Sequence, residues 1–354
     1  MIRLGALGDV VRTLPAASAL RAAYPGSQLA WLVEPASASL LRGQPWLDEV
    51  LVFPREELRA ALRSARLGAF ARAWRRFSAE LRRRRFELVV DFHSILKSGV
   101  LAAASRAPTR VAYAPPYGRE GSWVFATARA ALEPPRASRF ERNEALVRFL
   151  SVKGAVPPRP LAIEPAAAAR MERELAGAPP GVVMHPGTSD ATPHKRWTAD
   201  GYGAVARALR DEEGVTTLVS VGPARDDRAF ADAVVKAAAG AATLAPPTPS
   251  LGDLAALFAR SRLYVGSDTG PLHVASLVGT PVVQLLGPTD PVENAPWPAT
   301  PSRTVRLPVA CSPCRRGCAA APCMARLPAA EVAAAARSLL APARQDGSFR
   351  ARNP

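Results

Sequence analysis

YVGSDTGPLHVASLVGTPVVQLLGPTDP, residues 264–291, holds the two turns around which the chain is organised. Apolar runs at 263–265 and 282–286 read as buried strands, joined through a glycine-bearing turn and a short helix. The turn Ser267-Asp268-Thr269-Gly270 opens directly into that helix, which begins near Pro271-Leu272-His273. Proline suits the first helical position, where its missing N–H would have no intrahelical partner anyway. The free amides of such a helix start, with the helix dipole behind them, favour an anion such as phosphate. Two polar turns at neighbouring strand ends are what an open α/β sheet presents at its carboxyl edge, where ligands bind. The same residues also fit an ordinary strand–turn–helix with a capping aspartate.

Working outward, the alternation continues on both sides. Upstream, strands are expected at 181–185, 216–221 and 242–244, with helices at 198–213 and 250–259 and a polar loop at 186–195. At the N-terminus, 1–4 reads as a strand end, followed by the glycine turn 5–9 and a helix over 10–23 with Val11, Leu14, Ala17 and Leu20 on one face. Further strands are expected at 28–33, 49–53, 86–92 and 110–113, and a helix at 140–150. Such alternation implies parallel, doubly wound sheets. Only four residues precede Gly5, fewer than the about 5–6 of a typical strand. A start upstream of Met1 is therefore expected.

The Gly5/Gly8 pair lacks the full dinucleotide fingerprint, and Glu34 only loosely matches its acidic residue, which argues against nicotinamide binding. Asp9 stands at a helix start on a carboxyl edge, where it serves either as a base facing a cleft or as an acid favoured by the dipole. Residues 55–85 form an Arg-dense helical region whose Phe70, Trp74 and Phe77 fall at helical spacing and are expected in the core. No apolar run approaches the about 20 residues of a membrane span, and no secretory leader precedes the first turn, which places the protein in the cytoplasm.

The 354 residues allow two domains, and 46 basic against 30 acidic residues give a net charge of +16. The excess points to an anionic partner. It is nearly all arginine, however, the lysines being Lys97, Lys153, Lys195 and Lys236, and much of it reads as compositional drift. Nucleic-acid binding would rest on charge alone, without a recognised motif. The serine-hydrolase elbow and the P-loop are absent.

SDTGPLH followed by LGPTDP, the opening RLGALGDVVRTLPAASAL and the segment VVDFHSILKSG together resemble, in order, three motifs of the heptosyltransferases of glycosyltransferase family 9, most closely the heptosyltransferase I branch. The resemblance implies a GT-B fold, two Rossmann-like doubly wound domains with a cleft between them. It divides the chain into an acceptor-binding domain (1–151), a linker with one helix (152–180), a nucleotide-sugar domain (181–327), a closing helix (328–341) and a flexible tail (342–354). It implies an inverting transfer of heptose from ADP-heptose to Kdo-lipid A at the inner membrane face, with peripheral membrane contact, by a monomer without cofactor. A related family transferase adding a second heptose or another sugar, and a non-catalytic binding module, are the alternatives.

By the same resemblance Asp9 is the catalytic base. Lys195 meets the donor diphosphate, and Thr188, Thr269 and Gly270 complete its cradle. Asp226 holds the ribose, Asp268 meets the sugar or orients its loop, and His273 buttresses the turn. Arg75, Arg76, Lys97 and Arg119 are expected on the acceptor, Arg being suited to forked bonds with carboxylate and phosphate. No Asp-x-Asp pair sits where a divalent metal would be held, and no metal is expected in the reaction. Cys311, Cys314, Cys318 and Cys323 are spaced C-x2-C-x3-C-x4-C, which leaves open reduced packing thiols or a structural metal site.

Overall fold

The computed structural model describes residues 1–132, 137–150, 161–177, 179–314 and 317–341. The expected tail from 342 and the linker residues 152–160 lie outside the described residues. The first half carries β1 (Ala30–Val33), β2 (Glu49–Val52), β3 (Leu88–Asp91), β4 (Thr109–Tyr113) and β5 (Ala128–Ala130). The second carries β6 (Val182–His185), β7 (Thr217–Val219), β8 (Ala242–Leu244), β9 (Leu263–Ser267), β10 (Val282–Leu285) and β11 (Ser302–Val305). All pairings between these strands are parallel.

The expected first strand is reduced to one residue. Ile2 bridges Leu32 of β1 on one side and Asp91 of β3 on the other, and so joins a two-stranded and a three-stranded sheet. Its amide donates to Val90 O at 2.9 Å, and the Leu32 amide returns to Met1 O at 2.9 Å. Read through Ile2, the first half runs β2-β1-Ile2-β3-β4-β5, and the second runs β11-β10-β9-β6-β7-β8. Both orders are the 3-2-1-4-5-6 winding of a Rossmann sheet, which places a topological switch point beside Ile2 in one half and between β6 and β9 in the other.

Two strands escape sequence reading. ARA at β5 and SRTV at β11 each form a sheet edge, where one partner suffices and little hydrophobic patterning is required. The Arg-dense region is two helices, Arg55–Arg63 and Leu67–Arg83, separated where Ala65 takes a φ of +50°. Phe77 is buried, and Phe70 and Trp74 pack against the same cluster, as their spacing predicts.

The halves share apolar interior. Val10, Val11 and Leu14 of the helix Leu7–Ala23 join one cluster with Leu272, Val274 and Ala275 of the helix Gly270–Leu277. Each fully buried leucine contributes about 2 kcal/mol to that seam. The helix Pro165–Glu174 packs on Leu251–Ala259, and the Leu161 amide donates to Leu277 O at 3.0 Å. Leu340, Ala336 and Val332 of the closing helix Ala329–Leu340 extend the core of the second sheet.

Candidate active site

Each half ends its central strand in a turn that starts a helix, and the two starts meet. The helix Leu7–Ala23 follows Ile2 and carries Asp9 in its first turn. The helix Gly270–Leu277 follows β9 with Thr269 at its N-cap. Neither cap is closed by a side-chain hydrogen bond. A Cβ on Gly8 would lie 3.4 Å from the Gly270 Cα, and one on Gly270 would lie 3.0 Å from the Leu7 side chain. Small residues thus let two positive helix ends converge.

Charged side chains cross this junction. Asp9 Oδ2 pairs with Arg3 at 2.6 Å, while its Oδ1 accepts from Arg139 at 2.7 Å and Arg12 at 3.2 Å. Arg12 is shared: its Nη2 donates to Asp268 Oδ1 at 3.2 Å and Asn294 Oδ1 at 3.4 Å, and also contacts His273 Nε2. From the second half, Lys195 Nζ reaches Asp268 Oδ2 at 3.0 Å and its carbonyl at 3.1 Å. The Thr289 hydroxyl donates to the same carboxylate at 2.8 Å.

Burial alone would push both carboxyls up. At Asp9 the guanidiniums of Arg3, Arg139 and Arg12 outweigh it and hold the group well below the usual carboxylate range. At Asp268, the hydrogen-bond contact from His273 together with Lys195 and Arg12 does the same. Burial, with Arg12 beside it, pulls His273 down to about 4. The ring is therefore neutral, its Nε2 in contact with both Arg12 and Asp268 Oδ1. Four cations, Arg3, Arg12, Arg139 and Lys195, face two carboxylates, a surplus suited to an anionic ligand.

The segment after β3 adds a second buried acid. Asp91 Oδ1 accepts the His93 and Ser94 amides at 3.0 Å each, and Oδ2 accepts the Ser98 hydroxyl at 2.7 Å. Burial outweighs these bonds and pushes the carboxyl up to about 6. His93 is pulled down to about 3, by burial and then by Arg3, and its Nδ1 accepts from the Leu4 amide at 3.4 Å.

The structure thus gathers Asp9, Lys195, Asp268, Thr269, Gly270 and His273. Thr188 lies buried in the loop after β6, its hydroxyl without a partner among the described residues. Asp226 is exposed at the head of the helix Asp227–Ala237, whereas its neighbour Asp227 is buried, paired with Arg196 at 2.8 Å. The acid built into that turn is one residue on from the expected one.

The expected acceptor cations lie apart from the Asp9 network. Lys97 pairs with Glu34 at 2.6 Å, and Arg55 meets the same carboxylate at 2.6 Å. Arg119 is exposed, with its backbone amide on Ser94 O at 2.9 Å, close enough for its charge to reach His93. Arg75 and Arg76 are exposed on Leu67–Arg83, and Arg76 pairs with Glu57 at 2.5 Å. Sequence reading did not find Arg3, Arg12, Arg139 or Asn294. Arg12 was signalled by standing three residues after Asp9 on one helix face; Arg139 carried no such signal.

The four cysteines are free thiols, Cys323 buried and Cys311 and Cys318 exposed. Among the described residues no group of three or more His, Cys, Asp or Glu side chains is placed to hold a metal ion. Burial, and then the neighbouring Cys314, Cys311 and Cys318, push the Cys323 thiol up, so the four lie within electrostatic reach of one another.

A family model described as glycosyltransferase family 9 (heptosyltransferase) matches residues 74–324. The lipopolysaccharide heptosyltransferase 1 of Pseudomonas aeruginosa is 30% identical over 308 residues, 82% of this chain and 79% of that protein. A family 9 glycosyl transferase structure from Veillonella parvula superposes with a TM-score of 0.73 at 21% identity, covering 96% of this chain and 95% of that one. The Escherichia coli heptosyltransferase WaaC with ADP-2-deoxy-2-fluoro heptose gives 0.69 at 22% identity, over 87% and 92%. The two sheets, wound alike and meeting at their switch points, are the GT-B architecture, and the chain belongs to glycosyltransferase family 9, the heptosyltransferases.

Proposed function

We propose that this protein is an inverting heptosyltransferase of lipopolysaccharide core assembly, acting as a cytoplasmic monomer in contact with the inner membrane face and without a metal. The donor is ADP-heptose, the sugar L-glycero-D-manno-heptose and the acceptor Kdo-lipid A. The half spanning 1–151 takes the acceptor and the half spanning 181–327 the donor. One observation carries the reading: Asp9 of the first half and Lys195 of the second lie on a single ion network through Arg12 and Asp268. The relative WaaC, seen with an ADP-heptose analogue, supports the donor class.

In this mechanism the acceptor hydroxyl attacks the anomeric carbon from the face opposite the diphosphate, which inverts the centre. The C–O bond to the diphosphate breaks with its electron pair on the leaving oxygen, and the hydroxyl proton passes to Asp9. A hydroxyl becomes acidic as its new C–O bond forms, so a carboxylate of low basicity can take the proton late. Lys195 and the amides at the start of Gly270–Leu277 stabilise the charge on the departing diphosphate.

The test is incubation with ADP-heptose and Kdo-lipid A, product read by mass, together with two variants. Asp9→Asn keeps shape and should cut kcat by about 10²–10⁴-fold while ADP binding holds. Lys195→Ala should weaken ADP binding by roughly 1.5–3 kcal/mol, read by isothermal titration, and lower kcat too. If Asp9→Asn keeps more than about a third of kcat, a far smaller loss than removing a general base causes, the base is sought first at Asp268.

A further inference from the structure

Of the three guanidiniums on Asp9, two are fixed and one is not. Arg12 has 5% of its side chain exposed and is shared with Asp268. Arg3 is 13% exposed, and its Nη1 donates to Phe92 O at 2.6 Å. Arg139 is 38% exposed, and among the described residues Asp9 Oδ1, at 2.7 Å, is the one acceptor its guanidinium reaches. Its backbone, by contrast, is held. Arg139 is the first residue of the helix Arg139–Phe149, closed by Ser138 and Glu141 in a reciprocal capping box. Its amide donates to Glu293 O of the second half at 3.2 Å. A fixed backbone with a long, half-open side chain is the geometry of an arm that can change partners.

The occupancy of Asp9 gives such a change a consequence. A carboxylate oxygen accepts about two hydrogen bonds, and Oδ1 already holds two, from Arg12 and Arg139. An acceptor hydroxyl has no place there while Arg139 remains. Arg3, Arg12 and Arg139 face Asp9, with His93 beside it and Asp268 and His273 beyond Arg12. Both histidines are neutral, so the surplus positive charge is on the cations, and Arg139 can take a second anion without leaving Asp9 unpaired.

We propose that Arg139 is a specificity-determining positioning residue that leaves Asp9 to pair with a carboxylate or phosphate of the incoming acceptor, opening Oδ1 to the acceptor hydroxyl. The proposal rests on Asp9 being the base. An acceptor with no anion near its hydroxyl leaves Arg139 in place and Oδ1 filled, with Oδ2 tied to Arg3, so anionic acceptors are favoured at the chemical step as well as in binding.

The experiment compares the full chain and Arg139→Gln on Kdo-lipid A, on the same acceptor with its carboxylate methylated, and on the dephosphorylated acceptor. The wild type should prefer the intact acceptor over one of the two altered forms by roughly 10–100-fold in kcat/KM, as for a charge-assisted contact, and that form names the anion. Arg139→Gln should erase this preference while donor KM holds, and Arg139→Lys should restore part of it. In Arg139→Gln the acid limb of kcat/KM, which reports the free enzyme, should move to higher pH. The acid limb of kcat should stay, because in the complex Arg139 has already left. An unchanged preference, or a kcat limb that moves as far as the kcat/KM limb, overturns the proposal. Asp9→Asn run alongside separates the two readings. If it is inactive while Arg139→Gln keeps the preference, this proposal alone fails; if it is active, the base assignment fails and takes this proposal with it.

Discussion

Replacing Arg12 by Met tests whether the junction between the halves is held by charge as well as by apolar packing. The methionine keeps the aliphatic stem within the seam and removes the guanidinium. Burial pushes Arg12 down to about 10, so it is still charged at pH 7. Its contacts to Asp9 and Asp268, both at 3.2 Å, are lost, along with the longer one to Asn294. Breaking a buried pair and stranding the partner costs about 3–5 kcal/mol. Here neither carboxylate is stranded: Asp9 keeps Arg3 and Arg139, and Asp268 keeps Lys195. The lower end, about 3 kcal/mol, is therefore expected. At about 2–4 °C per kcal/mol, thermal unfolding at pH 7 should fall by roughly 6–12 °C. Arg76→Gln is the control, since its pair with Glu57 is 70% and 47% exposed. That pair should be worth under about 1 kcal/mol. Adding Asp268→Asn to Arg12→Met should cost less than the sum of the single changes, because the two side chains share one contact. A fall of under about 2 °C for Arg12→Met, below that expected from about 1 kcal/mol, would refute the argument.

Two further outcomes are expected. Asp91 has its folded pKa raised from 3.8 to about 6, so the folded state binds its proton more tightly than the unfolded one. The stability this supplies is complete below about pH 4 and is lost as pH rises through about 6, a change of up to about 3 kcal/mol. The urea stability of wild type relative to Asp91→Asn should decline by that order between the two pH values, and an equal difference at both would count against it. Leu62 and Leu67 are 54% and 70% exposed, at the corner between two helices, amid exposed Arg59, Arg63, Arg66 and Arg72. That corner is expected to seat on an anionic bilayer. Co-sedimentation with phosphatidylglycerol vesicles should exceed that with phosphatidylcholine and should drop for Leu62→Ser with Leu67→Ser; equal binding to both lipids would refute it.

Much of this protein is written locally. Strand, turn and helix follow one another with their own periodicities, so the alternation of parallel elements could be read from short windows. The Asp268-Thr269-Gly270 turn could be read for the same reason, since a proline after a glycine turn marks a helix start wherever it folds. Two edge strands were not legible: ARA and SRTV carry too little hydrophobic patterning and are strands only because a neighbour offers a ladder. Nor could the sequence choose between Asp226 and Asp227, because both fit the head of one helix and packing alone buries the second. Apart from the local Asp9–Arg12 and Asp268–His273 contacts, the charge network belongs to the tertiary structure. Arg139 reaches Asp9 across 130 residues, and Arg12 reaches Asp268 across 256. Local periodicity fixes which face a side chain occupies, but only the packing of one half on the other decides which distant charge it meets.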